Sequence, residues 1–233
     1  MHLFFVPHLR VGETVIPDHE AARHLKALRI QPGEHIALTD GKGHCYTGEL
    51  IAGKKEMSIA VLSSETFSPH LPQLTLAIAP TKNHDRLEWL VEKAVEIGVH
   101  RILLIDCDHS ERPVARMDRL ERMAVAALKQ SQRYYLPVIE PLKTFSSVIE
   151  MPFDGMRFLA HCYDEVQKKL LRDALIPERD ALIAIGPEGD FSRDEVYRAE
   201  QAGWVSVSLG KSRLRTETAG LAAVHTFEII NQQ

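Results

Sequence analysis

Cysteine is scarce: the 233 residues hold three, Cys45, Cys107 and Cys162. An odd count without a C-x-x-C pair argues against both a disulfide framework and a cysteine-bound zinc, and fits reduced thiols in a cytoplasmic protein. Long hydrophobic runs are missing too. No stretch approaches the roughly 18 apolar residues of a membrane span, so no membrane partner is expected. The opening Met-His-Leu-Phe-Phe-Val-Pro lacks the basic region of a secretory signal. There is no surplus of positive charge: 28 Lys and Arg face 32 Asp and Glu, a net charge of −4. That speaks against wholesale coating of nucleic acid but leaves room for a local basic patch. The 12 histidines form neither an i, i+4 helical pair nor a cluster with carboxylates, so they read as scattered surface residues and no metal is expected. Two nucleotide motifs fail as well. Gly210-Lys211-Ser212 imitates the tail of a P-loop, but Val205 stands where that motif needs glycine, and Gly186-x-x-Gly189 falls short of the G-x-G-x-x-G fingerprint.

What the chain does have is 45% hydrophobic composition, enough for a substantial core, and two regions of different pattern. Residues 1–70 read as short strands and turns: Leu3–Val6, Ile36–Leu38, Cys45–Ile51 and Met57–Leu62, with a short helix over Pro17–Arg29. Their spacing suggests a small β-barrel. Within the helix, Arg23, His24, Lys26 and Arg29 place three positive charges and a histidine in seven residues. The spacing alone favours a solvated face; contact with phosphates is the alternative. The polar, proline-punctuated run Ser63–Gln73 reads as a linker, and residues 73–233 then alternate strand and helix signals. Leu87, Leu90, Val91, Ala94 and Ile97 mark one helix, stopped by Gly98; Arg101–Ile105 and Met156–Ala160 are strands; Asp118–Ser131 and Glu165–Ala174 are further helices. Such alternation argues for a parallel sheet covered on both faces, an α/β fold.

Two stretches of this second region stand out. Ala181–Ile185 is an apolar strand running into Gly186-Pro187-Glu188-Gly189-Asp190-Phe191, after which Ser192 and Glu195 form an S-x-x-E capping box opening a helix to Gln201. The strand at Val205 and Val207 is broken by Gly210, and the polar run Lys211–Thr218 leads to a helix over Ala219–Ile230. Loops at the carboxyl ends of parallel strands are where open α/β sheets bind ligands. Ordinary βα turns share this pattern, but the density of charge and hydroxyl in Arg213, Arg215, Thr216, Glu217 and Thr218 exceeds what a turn needs.

The pairing of Gly-Pro-Glu-Gly-x-Phe-Ser with Leu-Gly-x-x-x-Leu-Arg-Thr-Glu-Thr-Ala resembles the ribosomal RNA small subunit methyltransferase E family, of the SPOUT superfamily. Upstream matches lie in Lys82–Glu88, Glu96–Val99, Gln130–Arg133 with Leu136-Pro137, His24–Arg29 and Thr39–Gly43, so the resemblance covers nearly the whole chain. It implies a PUA-like RNA-binding β-barrel domain over 1–70 and a trefoil-knotted methyltransferase domain over 73–233. It further implies S-adenosylmethionine as cofactor, a uridine N3 in small-subunit (16S) ribosomal RNA as acceptor, and a homodimer; the assembled 30S particle is the expected form of the substrate, with naked RNA the open alternative. Ribose 2′-O methylation and a non-catalytic assembly factor are the alternatives. The implied cofactor residues are Gly186, Pro187, Glu188, Gly189, Leu209, Gly210, Leu214, Thr216, Thr218 and Ala219; the implied RNA-binding residues are Arg23, His24, Lys26, Arg29, Lys82 and Arg133. For catalysis Arg215, backed by Arg213, would stabilise negative charge on the base. Glu217 is a candidate proton acceptor, with bulk water as its rival and helix capping as its other reading. The family usually has a second glycine where this chain has Asp190, which puts the local loop shape in question.

Overall fold

The computed structural model describes residues 2–53, 57–111 and 114–232. Tertiary contacts divide the chain into two units, Met1–Pro69 with Leu128–Leu136, and His70–Ala127 with Pro137–Gln233.

The first unit contains β1 (Leu3–Phe5), β2 (Thr14–Val15), α1 (His19–Ala27), β3 (His35–Thr39), β4 (His44–Ile51) and β5 (Ser58–Thr66). Asp18 caps α1 by accepting the Ala21 N–H at 2.7 Å. The strands form a half-barrel sheet in the order β1-β3-β4-β5-β2, with β1 parallel to β3 and the other pairs antiparallel. Its core gathers Phe4, Leu25, Ile36, Leu38, Leu50 and Ile59.

Two boundaries differ from the sequence expectation. Strand β5 continues through Ser63 and Ser64 to Thr66, pairing with β4 as far as His44. From Leu62 onward its residues are exposed, which permits polar side chains, so composition read as linker while the backbone stayed in the ladder. Leu128–Leu136 also joins this unit: the Gly43 N–H donates to Tyr134 O at 2.8 Å, the Leu136 N–H to Gly41 O at 2.9 Å, and the Tyr135 hydroxyl to Phe67 O at 2.8 Å.

The second unit runs β6 (Leu74–Ile78), α2 (His84–Ile97), β7 (Arg101–Asp106), α3 (Met117–Ser131, whose last turn lies in the first unit), β8 (Val138–Thr144), α4 (Phe145–Glu150), β9 (Met156–Ala160), β10 (Lys169–Leu170), α5 (Leu171–Ala174), β11 (Ala181–Ile185), α6 (Arg193–Gln201), β12 (Val205–Ser208) and α7 (Thr216–Asn231). Seven strands make an all-parallel sheet, β10-β12-β9-β11-β6-β7-β8. Strands β6 and β11 are buried along their whole length, as apolar central strands of a doubly covered sheet must be. Alternate residues of β6 show both covers. Ile78 packs close to Gly220 of α7, and Ala77 belongs to the cluster of Phe145, Phe191 and Trp204 on the opposite face.

The helix expected over Glu165–Ala174 is not formed as such. Lys169 and Leu170 pair with Val207 and Ser208 of β12, leaving α5 as one short turn of helix. Helix α7 starts at Thr216, ahead of the expected Ala219, and its first turn includes Glu217 and Thr218.

Candidate active site

A cavity of about 960 Å³ opens at the carboxyl ends of β9, β11 and β12, three adjacent strands of the parallel sheet. Residues 160–164 and 168 line it from the β9 side, 185–190 from β11, and 207–216 with Ala219 from β12 and the start of α7. Of the sequence-derived cofactor residues, Gly186, Pro187, Glu188, Gly189, Leu209, Gly210, Leu214, Thr216 and Ala219 all line the cavity, as do Arg213 and Arg215. Thr218 does not: between Thr216 and Ala219 of the same helix, it is exposed and absent from the lining.

The loop after β11 is fastened on every side. Gly186 O accepts from the Thr216 hydroxyl at 3.1 Å, which ties it to α7. A Glu188 carboxylate oxygen accepts the Lys82 N–H at 3.2 Å from the loop after β6. His109, from the loop after β7, donates through Nδ1 to Gly189 O at 3.0 Å and Asp190 O at 3.1 Å. A Cβ on Gly189 would come within 2.9 Å of the His109 Cβ, so this approach requires glycine. The capping box forms as the sequence indicated: Ser192 Oγ accepts the Glu195 N–H at 3.2 Å and Glu195 accepts the Ser192 N–H at 2.7 Å. Its outward atoms then grip the loop after β7, with the Asp108 N–H on Glu195 at 3.0 Å and the Ser192 hydroxyl donating to Asp108 at 2.6 Å.

Asp190 adopts a left-handed backbone, φ 64°. Its own carboxylate compensates, accepting the Phe191 N–H at 2.9 Å and the Cys162 N–H at 2.8 Å. The doubtful loop shape is therefore resolved: aspartate takes the glycine-like conformation and adds two bonds.

The loop after β12 is held more lightly. Among the described residues its 211–214 backbone makes no hydrogen bond to other backbone, and Gly210, φ 138°, has nothing within 4 Å of where a Cβ would stand. Arg213 and Arg215 are exposed, Arg215 at the N-cap position of α7 without a side-chain capping bond. Glu217 points elsewhere: it is 7% exposed, absent from the cavity lining, and 3.8 Å from the Arg86 guanidinium of α2. That placement suits a buried support for α7 better than a proton acceptor at the cavity.

Sequence reasoning missed the β9 side altogether. His161 is buried there, its Nδ1 accepting the Tyr163 N–H at 3.2 Å. Burial first, and then the Lys168 charge, hold its pKa below the ordinary histidine range, so it is neutral near pH 7. Cys162 is exposed as a residue, but partial burial of its sulfur, together with the Asp190 charge, raises its pKa and keeps it a thiol. The clue was available: Met156–Ala160 was recognised as a strand of the same sheet, so its carboxyl-end loop belonged at the same edge.

The remaining site residues are not part of the cavity lining. Arg23, His24, Lys26 and Arg29 are exposed on α1 and just beyond it, the His24 ring resting 5.3 Å from that of Phe4. Lys82 is exposed and ion-paired with Glu111 at 2.6 Å. Arg133 is half-buried, in the 128–136 segment of the first unit. Among the described residues no group of His, Cys, Asp and Glu is arranged to hold a metal, and no helix is long and apolar enough to cross a membrane.

Comparison with known proteins agrees with this architecture. Residues 69–228 match an RNA methyltransferase domain family and residues 16–62 an RNA methyltransferase PUA domain family. A probable rRNA-methyltransferase of Porphyromonas gingivalis is 39% identical, with TM-score 0.90 over 98% of this chain and 99% of its own. Ribosomal RNA small subunit methyltransferase E of Neisseria gonorrhoeae, solved bound to S-adenosyl methionine, is 30% identical, with TM-score 0.84 over 99% and 98%. The enzyme of that name from Rickettsia conorii is 27% identical over 89% of this chain and 85% of its own. With a whole-chain match of this kind, and with both motif loops of the resemblance meeting at one cavity, the chain belongs to the ribosomal RNA small subunit methyltransferase E family.

Proposed function

We propose that this protein transfers the methyl group of S-adenosylmethionine to N3 of a uridine in small-subunit ribosomal RNA. The observation that carries this reading is the three-loop cavity at the carboxyl edge of the parallel sheet, in a chain whose 30%-identical relative binds that cofactor. The lining fits the cofactor chemically. The 211–214 backbone offers N–H and C=O groups without backbone partners, suited to the edge of an adenine, and Leu209, Leu214 and Ala219 provide apolar enclosure. Charges are unevenly spread: Asp164, Glu188 and Asp190, together with Lys168, line the β9 and β11 sides, and Lys211, Arg213 and Arg215 the β12 side. Carboxylates suit a cationic sulfonium, and exposed guanidinium groups suit an RNA polyanion.

When bound, the cofactor supplies an activated methyl on sulfur, so the chain needs no covalent nucleophile. Its residues must instead help the imide N3 lose a proton. Arg215, with Arg213 behind it, stabilises the negative charge that then spreads onto O2 and O4 of the base. With Glu217 turned toward Arg86, bulk water accepts the proton. Arg23, Lys26 and Arg29, exposed on the PUA-like unit, contact phosphates, and His24, Lys82 and Arg133 extend the RNA-binding set.

Three further assignments belong to this reading. The substrate is the assembled 30S particle in the cytoplasm. The protein is a homodimer; Trp89 on α2 and Ile229 on α7 are exposed apolar side chains on two helices in contact, available to such an interface. The C-terminal segment is a trefoil knot, consistent with β12 lying between the earlier strands β9 and β10. Calorimetry with S-adenosylmethionine tests the core: absence of binding would leave a non-catalytic assembly factor as the better description. Light scattering tests the dimer, a monomeric mass with full activity counting against it.

A further inference from the structure

The loop after β9 has no regular secondary structure between Ala160 and Lys169, yet it forms the middle wall of the cavity, since β9 lies between β11 and β12. Such a wall needs something to hold it. The structure attaches it to the loop after β11 at successive points. The Cys162 N–H donates to Asp190 Oδ2 at 2.8 Å, and the Tyr163 hydroxyl donates to Phe191 O at 2.7 Å. One turn further, the Arg193 guanidinium stacks 4.9 Å from the Tyr163 ring and pairs with Glu165.

We propose that Asp190 is a positioning residue that latches the loop after β9 onto the loop after β11, so that the wall of the methyl-donor cavity is formed before the donor arrives. Asp190 is itself immobilised to do so. Its N–H donates to Pro187 O at 2.9 Å, its C=O accepts from His109, and one carboxylate oxygen is spent on Phe191 N–H, leaving the other aimed at Cys162. Glycine would satisfy the φ of 64° with less strain but leave the Cys162 N–H without an acceptor. A pre-formed wall lowers the ordering cost that a ligand would otherwise meet on binding.

The inference rests on the reading of the cavity as the S-adenosylmethionine site, and a second role must be separated from the latch: the Asp190 carboxylate could act as counter-charge to the sulfonium. S-adenosylhomocysteine, the demethylated product, lacks that charge and serves as the discriminating probe. Calorimetry on the full chain should show Asp190→Ala weakening both ligands about tenfold, or ~1.4 kcal/mol. Asp190→Asn, which keeps an acceptor for Cys162, should recover most of the loss, and Asp190→Gly should resemble Asp190→Ala. In ligand-free protein the Cys162 amide should exchange with solvent faster in Asp190→Ala than in the wild type, a readout independent of any ligand. If Asp190→Ala does not fold, Tyr163→Phe removes the neighbouring bond and should weaken both ligands by a smaller factor. An Asp190→Ala protein that binds both ligands as the wild type does would overturn the latch. So would loss of S-adenosylmethionine affinity alone, which would make Asp190 a counter-charge. A wild type that binds neither ligand would instead refute the functional reading beneath it.

Discussion

The loops after β11 and β12 line the same cavity but are built in opposite ways. Residues 186–192 are bonded to the loops after β6, β7 and β9 and to α7, through backbone and short side chains at 2.6–3.2 Å. In residues 209–215 the side chains of Arg213 and Arg215 are exposed, and among the described residues the loop is held by the Ser208 hydroxyl against Gly210 and, at its end, by the Ala219 N–H on Arg215 O. A rigid loop gives up little freedom when a small ligand arrives, so it suits recognition of a cofactor. A loop with exposed cations and, at 211–214, backbone groups that have no backbone partner among the described residues suits a polyanion, and charge that develops only during reaction.

The sharpest way to break this contrast is at Arg215. Arg215→Ala should lower turnover on the order of 10²-fold, the scale of losing one oriented electrostatic donor. Its affinity for S-adenosylmethionine, measured by calorimetry, should hardly change. Loss of cofactor affinity with normal turnover at saturating cofactor would move Arg215 into the cofactor pocket and leave Arg213 as the catalytic cation.

Glu217 tests the boundary between site and support. If it braces α7 against Arg86, Glu217→Gln should lower thermal stability by roughly 1 kcal/mol, less than a fully buried pair because Arg86 remains partly hydrated. Turnover of the folded variant should stay within a few-fold of the wild type, with an unchanged pH profile. A collapse of turnover at unchanged melting temperature would restore Glu217 as the proton acceptor.

On the rigid side, His109→Ala removes the donor shared by Gly189 and Asp190 carbonyls. The expected effect is a several-fold rise in the S-adenosylmethionine dissociation constant, about 1 kcal/mol for one lost hydrogen bond, with RNA affinity unaltered. The smallest effects are expected in the PUA-like unit. Arg23→Ala or Arg29→Ala should each weaken RNA binding modestly and flatten its salt dependence by about one counterion, leaving turnover at saturating RNA intact. A salt slope identical to that of the wild type would return these residues to the solvated-face reading.

The same contrast explains what was legible in the sequence. Local signals were read well. The Ser192/Glu195 capping box, the Gly98 helix stop and the apolar run Ala181–Ile185 each depend on neighbours within a few residues, and each stands where expected. What escaped depends on partners far along the chain. Lys169 and Leu170 become strand only because β12, some forty residues later, offers a free edge, so a helical pattern over Glu165–Ala174 was overridden. Glu217 meets Arg86 across 131 positions, and Asp190 meets Cys162 across 28, neither visible in periodicity. The segment Leu128–Leu136 joins the first unit through bonds to Gly41 and Gly43, again across long stretches of chain. Motif residues converged on the cavity because both motifs sit at carboxyl ends of parallel strands. The third such loop, after β9, carries no motif of the resemblance.

The central claim is that the cavity directs a methyl group to N3 of a uridine in small-subunit ribosomal RNA. The most direct measurement incubates the protein with labelled S-adenosylmethionine and 30S subunits from cells lacking the modification, then identifies the labelled nucleoside by mass spectrometry. The account predicts N3-methyluridine at one site, and a label on ribose 2′-O, or no label from a protein that binds the cofactor, would contradict it.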